Sequence, residues 1–159
     1  IVISSTSALI QSDGDVVGID GVSPLSVNIP SGNYNVMLSH RNHLGILSLN
    51  ATSFDGSSVN LDFTSSSSLV VGANNAISDL GGGVYGLFSG DFNGDGQVQN
   101  TDKIEVEQQR GLSGYKNADI DMNGEVQNTD LNNLLNPNLG KGEQFTRNML
   151  FAKRKHKNN

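Results

Sequence analysis

The chain has 159 residues, a formal net charge of −6 and no cysteine. This length allows one moderate domain or two small ones, and the acidic balance argues against a nucleic-acid partner because the protein would repel phosphate. Nineteen glycines, few aromatic residues and only 16% charged residues favour a mainly β extracellular module over a helical cytosolic enzyme, and no membrane span is visible.

Short apolar segments separated by turn residues fill the first half of the chain. Tyr34, Val36 and Leu38 fall at every second position, which is typical of a β strand. Asp55-Gly56 predicts a hairpin turn between strands at 44–54 and 59–63. We predict that residues 1–83 form an immunoglobulin-like or prealbumin-like β-sandwich, and that the whole chain is mainly β with a small α module.

Several polar segments are interpreted as connections. Asp13, Asp15 and Asp20 lie beside glycines, where turn formation is the expected role. The serine-rich segment 64–68 predicts a mobile loop, and 81–83, three glycines in a row, predicts a hinge at the end of the β domain.

His40 and His43 are the concentrated candidates for other chemistry. A His-x-x-His pair can hold zinc, but no further cysteine or histidine stands at ligand spacing. On an extended strand the two side chains would point to opposite faces. We therefore favour a structural turn that closes a hairpin.

Residues 91–102 recur 28 positions later as residues 119–130. Both copies match a calcium loop, which takes oxygen ligands at positions 1, 3, 5 and 12, a backbone carbonyl at 7, a ligand often bridged by water at 9, and glycine at 6. The sequence therefore predicts two Ca²⁺ ions. The predicted ligand residues are Asp91, Asn93, Asp95, Gln97, Gln99 and Asp102 in the first loop, and Asp119, Asp121, Asn123, Glu125, Gln127 and Asp130 in the second.

The carboxylates of each loop would lie close together in the folded chain. At an effective dielectric constant near 20, two like charges ~4 Å apart repel by about 3–4 kcal/mol. A bound cation offsets this repulsion, so we expect calcium binding and folding of residues 91–139 to be coupled.

No amphipathic helix precedes either loop, so each unit is predicted to be a loop followed by a helix. The first helix is expected from about Asn100 to Arg110, with Gly111 as its C-terminal cap. In the second, Leu131, Leu134, Leu135 and Leu139 form one apolar stripe. Pro137 must interrupt that helix or end it near Asn136.

These units, from Gly90 to Leu139, resemble the type I dockerin repeat pair. The resemblance implies a compact, nearly two-fold symmetric module that binds a cohesin on a partner scaffold through loop positions 10 and 11, here Asn100 and Thr101, repeated as Asn128 and Thr129. At positions 17 and 18 the family has a basic pair. Here those positions carry Glu107 and Gln108 in the first unit and Leu135 and Asn136 in the second.

Two further strings, at 40–45 and 136–145, resemble the C-terminal region of large secreted or surface proteins of Bacteroidetes type. Many such proteins leave the cell through the type IX secretion system. The resemblance implies a secreted or cell-surface location. We therefore divide the chain into a β-sandwich domain (1–83), a dockerin-like module (84–145) and a basic C-terminal tail (146–159), which we expect to be solvated.

No nucleophile elbow, phosphate-binding loop or His-Glu-x-x-His motif occurs, so the chain is not expected to be an enzyme. The sequence favours a noncatalytic, calcium-binding module that attaches a larger secreted or surface protein to a protein partner. One alternative is a sorting signal read by the type IX export machinery. Another is a structural spacer stiffened by calcium.

Overall fold

The computed structural model describes residues 1–11 and 13–146, so the predicted basic tail (146–159) lies outside the described residues except for Thr146. The chain divides into two compact units. The smaller contains Ile1–Tyr34 and Thr52–Asn60, and the larger contains Asn35–Ala51 and Leu61–Phe145. Residues 35–51 and 61–83 thus belong to the same unit as the two loops, so the boundary predicted at 83/84 falls inside the larger unit.

The described residues are mainly short β strands with a small helical part, as the sequence predicts. The strands are β1 (Leu9–Ile10), β2 (Val16–Val17), β3 (Gly32–Tyr34), β4 (Met37–Leu38), β5 (Ile46–Leu47), β6 (Thr52–Phe54), β7 (Ile77–Gly81) and β8 (Val84–Leu87). The helices are α1 (Asn100–Gln109), a π-helix (Asp130–Leu135) and 3₁₀ turns at Ser67–Leu69, Ala73–Asn75 and Asn136–Asn138.

The described strands pair two at a time, always antiparallel. In the smaller unit β1 pairs with β2 and β3 pairs with β6; in the larger, β4 pairs with β5 and β7 with β8. The immunoglobulin-like or prealbumin-like sandwich stays a prediction, since among the described residues no sheet has more than two strands.

The strand predicted through Tyr34, Val36 and Leu38 is broken in the middle. The Ser48 hydroxyl accepts a hydrogen bond from the Val36 backbone N–H (2.9 Å), and the Ser48 N–H donates to the Val36 carbonyl (2.8 Å). Because a side chain takes the place of a ladder carbonyl, β3 ends at Tyr34 and β4 starts at Met37. The predicted strand 44–54 is likewise divided, into β5 and β6.

Two other predictions fail for local reasons. The Asp55 carboxylate accepts from the Ser57 N–H (2.9 Å) and Gly56 has φ +94°, so the turn forms, but no strand follows at 59–63. The glycines at 81–83 all have positive φ and form the turn of the β7–β8 hairpin rather than a hinge.

Asp13 and Asp20 accept hydrogen bonds from the backbone N–H groups two residues ahead, which confirms their predicted role in turns.

The larger unit has two apolar clusters. The first lies under the loops and helices and consists of Leu44, Phe88, Phe92, Val98, Val106, Ala118, Ile120, Val126, Leu131 and Leu135, with Leu134 against it. The second lies by the hairpins and consists of Ile46, Val70, Ala76 and Ile77, with Leu38, Phe63, Tyr85 and Leu87 against it.

Among the described residues, no helix combines the length and apolarity that crossing a membrane requires.

Candidate metal centre

The aspartates at loop position 12, Asp102 and Asp130, are fully buried. The Asp102 carboxylate accepts backbone N–H bonds from Phe92 (2.9 Å), Asn93 (3.2 Å) and Gln99 (2.8 Å). Each aspartate therefore ties the start of its loop to the start of the following helix, where a negative charge also suits the helix dipole.

Asp130 repeats this pattern in the second loop. It accepts from the N–H groups of Ile120 (2.6 Å), Asp121 (3.1 Å) and Gln127 (2.8 Å), at the same three loop positions. The repeat in the sequence is therefore also a repeat in the hydrogen bonds that the position-12 aspartate accepts.

The aspartates at loop position 1, Asp91 and Asp119, are also buried. The N–H of the glycine at position 6 donates to each of them, Gly96 to Asp91 (3.2 Å) and Gly124 to Asp119 (3.0 Å). These glycines have φ of +89° and +92°, so the sharp turn that folds the loop back requires a residue without a side chain.

The second loop brings three carboxylates together. Oxygen atoms of Asp119, Asp121 and Asp130 lie within 4.8 Å of one another, and two of these side chains are buried. Burial raises the pKa of Asp121, and the charges of Asp130 and Asp119 raise it further. Three converging carboxylates with few compensating positive charges are an arrangement that a cation stabilises.

The first loop has a different arrangement of charge. Asn93 stands at position 3, and its amide donates to the Asp95 carboxylate (3.1 Å). Among the described residues, only the second loop gathers three acidic groups closely enough to form a cluster of this kind. Of the predicted ligand residues of the first loop, Asp91 and Asp102 are buried, and Asn93 and Asp95 are joined by this hydrogen bond at the surface.

The residues at positions 7 and 9 lie on the outside of the loops. Gln97, Gln99, Glu125 and Gln127 are exposed, and in each loop the position-9 amide donates to the position-7 side chain. Their side chains are therefore occupied with each other, and a cation would take the position-7 backbone carbonyl.

Each loop pairs with the segment that follows the helix of the other unit. Val98 exchanges backbone hydrogen bonds with Gly140 and Lys141 (2.9 Å each), and Val126 does so with Gly111 (2.8 Å) and Leu112 (2.9 Å). The two loop–helix units are thereby interlocked in a two-fold pattern.

The two loop–helix units differ in length by one residue. From the position-12 aspartate to the first paired residue, the second unit (Asp130 to Gly140) is one residue longer than the first (Asp102 to Gly111). The π-helix at Asp130–Leu135 absorbs the extra residue, because a π turn holds one residue more than an α turn. Pro137 then lies in the 3₁₀ turn Asn136–Asn138, as the predicted interruption near Asn136 requires. Of the predicted apolar stripe, Leu131 and Leu135 are buried, whereas Leu139 is 40% exposed.

The predicted partner-binding residues are all on the surface. Asn100, Thr101, Asn128 and Thr129 are exposed at the N-terminal ends of the two helices. The Arg110 guanidinium donates to the Asn128 side chain (3.1 Å), so the two copies of the pair differ in their surroundings.

A distant segment, not expected from the sequence, holds the second loop in place. The Arg41 guanidinium donates to the Lys116 carbonyl (2.7 Å), and the Asn42 amide donates to the carbonyls of Asn117 (2.9 Å) and Asp119 (3.0 Å). These contacts join residues about 75 positions apart. No local pattern in the sequence could have indicated them.

A similar link holds the first loop. The Glu143 N–H donates to the Gly96 carbonyl (2.8 Å), and the Glu143 carboxylate accepts from the Gly45 N–H (2.8 Å). A Cβ on Gly45 would lie 2.6 Å from that carboxylate and 3.0 Å from the Leu38 carbonyl oxygen, so a larger residue at position 45 would displace the Glu143 side chain.

The donor set of both loops is made of oxygen atoms from carboxylates, amides and backbone carbonyls. Hard cations such as Ca²⁺ take six to eight such ligands, while transition metals prefer nitrogen or sulfur. The second loop can therefore hold a metal ion, and its chemistry fits calcium.

Comparison of the chain with models of known protein families, with curated proteins and with solved structures found no match.

Proposed function

We propose that this chain is a noncatalytic, calcium-binding protein-interaction module of a secreted or cell-surface protein. Each of the two loops binds one Ca²⁺ ion through the predicted ligand residues. The ions neutralise the clustered carboxylates, and a protein partner binds the surface formed by the N-terminal ends of the two helices.

The observation that carries the proposal is the converging carboxylate triad of Asp119, Asp121 and Asp130 within a duplicated hydrogen-bond pattern. The position-12 aspartate of each loop is bonded to the turn that starts its helix. A cation that fixes this aspartate also fixes the neighbouring helix end, where the exposed Asn-Thr pair lies. Calcium thus controls the shape of the proposed contact surface.

The test is a pull-down with the immobilised chain from extracellular and envelope fractions of the source cells, with calcium or with chelator, followed by mass spectrometry. We expect calcium-dependent capture of a scaffold subunit of cohesin type. Replacing Asn100, Thr101, Asn128 and Thr129 together with alanine should abolish this capture while leaving the melting temperature unchanged. A matched control replaces Ser58 and Asn60, exposed polar residues of the smaller unit, with alanine.

Other outcomes would redirect the assignment. Capture of a translocon component that survives the fourfold substitution would support a sorting signal of type IX cargo. Calcium binding without any capture would support a structural spacer.

A further inference from the structure

The turn between β4 and β5 holds a second cluster of metal-ligating atoms, separate from the oxygen ligands of the two loops. The Nδ1 atoms of His40 and His43 are 3.0 Å apart, and the Asn42 Oδ1 lies 2.8 Å from the His43 Nδ1. The two rings meet edge to face, with centroids 4.8 Å apart. The expectation that these side chains point to opposite faces is wrong, because the chain bends at residues 41–42, between the two histidines.

The position of Asn42 within this cluster is fixed. Its side chain is completely buried, and its Nδ2 donates to two backbone carbonyls, those of Asn117 and Asp119. Since only the amide nitrogen can donate to carbonyls, the amide oxygen must face His43.

The backbone around the cluster is also held firmly. The Leu44 N–H donates to the Phe88 carbonyl (2.8 Å), and the Gly90 N–H donates to the Asn42 carbonyl (2.9 Å). The donor atoms therefore lie on a supported turn, which is the condition for a preorganised metal site.

The cluster has more lone pairs than hydrogens to fill them. Asn42 Oδ1 can only accept, and His43 Nδ1 carries at most one hydrogen for its two neighbours, His40 and Asn42. Burial lowers the pKa of His43 to about 4, and the positive charges of His40 and Arg41 act in the same direction. Burial and the charge of Arg41 also lower the pKa of His40.

We propose that His40 Nδ1, His43 Nδ1 and Asn42 Oδ1 form a binding site for a divalent first-row transition metal such as Zn²⁺. Two nitrogen ligands of a tetrahedral zinc ion are about 3.3–3.4 Å apart, so the two Nδ1 atoms, at 3.0 Å, need to separate by only a few tenths of an ångström to bind one ion. The nitrogen donors distinguish this site from the all-oxygen loops and select against calcium. Water or a donor from a partner completes the coordination.

The Arg41 guanidinium has partners of its own beside this site. It donates to the Lys116 carbonyl and stacks over the Tyr115 ring, 4.1 Å from its centroid. Its charge still reduces the affinity for a cation, so we expect a site that competes for zinc less well than a closed structural site does.

The test uses the full chain without a histidine tag, saturated with calcium so that the loops are occupied. Zinc chloride is titrated by calorimetry, and the imidazole nitrogens are followed by NMR. We expect one zinc ion per chain and a metal-induced shift of the Nδ1 resonances of His40 and His43. His40→Gln should weaken binding at least about tenfold, whereas His156→Ala, which alters the third histidine, should leave it unchanged.

Three results would overturn the proposal. One is zinc binding that persists in His40→Gln and is displaced by excess calcium, which would place the zinc in the loops. Another is binding that is lost in His156→Ala. The third is wild-type protein whose His40 and His43 resonances do not respond to millimolar zinc. The last readout needs no variant, so it holds even if a substitution impairs folding.

Discussion

The two loop–helix units share one hydrogen-bond pattern but differ in where they place their charges. The first loop has its exposed aspartate at position 5 (Asp95), while the second has it at position 3 (Asp121), and among the described residues only the second loop gathers its three carboxylates within 4.8 Å. The buried aspartates at positions 1 and 12 build the loop in both units. We expect the position of the exposed aspartate to set how strongly each loop depends on a cation.

The units also differ in backbone and core. At position 4 the first loop has Gly94 (φ +72°), and the second has Met122 in the same left-handed region (φ +60°). The first helix buries Val106 against the core, whereas the second buries Leu131 and Leu135. The second unit therefore contributes more apolar surface but carries more strain and more repulsion.

The largest predicted effect concerns the aspartate at loop position 12, which both loop–helix units contain. Asp102→Ala and Asp130→Ala each leave three backbone N–H groups without their acceptor, at a cost of about 3–5 kcal/mol of unfolding free energy. Urea unfolding in chelator should give similar losses for both. Glu107→Ala, an exposed position on α1, is the control. A difference of more than ~2 kcal/mol between the two variants would show that the units are not equivalent.

The next effect concerns the turn that holds the second loop. The pKa of His43 in the folded chain is about 4, below its ordinary value of 6.5. Between these values the unfolded chain binds more protons, so stability rises with pH across this window and falls on acidification, by on the order of 2–3 kcal/mol. Unfolding in zinc-free, calcium-saturated buffer should show a steeper slope from pH 6.5 to 5 for wild type than for His43→Gln. Equal slopes for wild type and His43→Gln would contradict the lowered pKa of the buried His43.

Exchanging the charges at position 3 sharpens the comparison. Asp121→Asn should weaken calcium binding at the second loop about tenfold, ~1.4 kcal/mol, and Asn93→Asp should strengthen binding at the first. In chelator, the two substitutions should have the opposite effect on stability: the metal-free fold gains from Asp121→Asn and loses from Asn93→Asp. The raised pKa of Asp121 means that its ionisation destabilises the metal-free fold as pH rises above 3.8, so Asp121→Asn should raise the melting temperature. Calorimetry measures the change in calcium affinity, and thermal melts in chelator measure the change in stability. If Asp121→Asn lowered both the calcium affinity and the melting temperature in chelator, repulsion between the carboxylates would be refuted.

The smallest effect concerns position 4. Met122→Gly should stabilise the chain by about 0.5–1 kcal/mol because glycine adopts a positive φ without steric cost. Gly94→Ala should destabilise by a similar amount. No atom lies within 4 Å of the added Cβ, so that change isolates the backbone term. Denaturant midpoints measure both, and a loss of stability in Met122→Gly would show that the methionine side chain contributes more than its conformation costs.

The sequence predicted features that neighbouring residues form together, but not features that depend on residues far apart in the chain. The spacing of aspartates and glycines predicted the loops, because their ligand atoms and turns lie within twelve residues. The π-helix at Asp130–Leu135 could not be predicted, since it arises from pairing with the other loop. The break after Tyr34 depends on Ser48, and the facing imidazoles of His40 and His43 depend on a bend that alternation alone does not reveal.

Calcium titration of chelator-stripped protein, followed by calorimetry and thermal melting on the same samples, addresses the central claim. We predict two ions per chain and a melting temperature that rises with free calcium, since each site stabilises the fold by about 2.7 kcal/mol when the free ion is at a hundred times its dissociation constant. Absence of binding heat, together with identical melting curves in calcium and in chelator, would contradict the account.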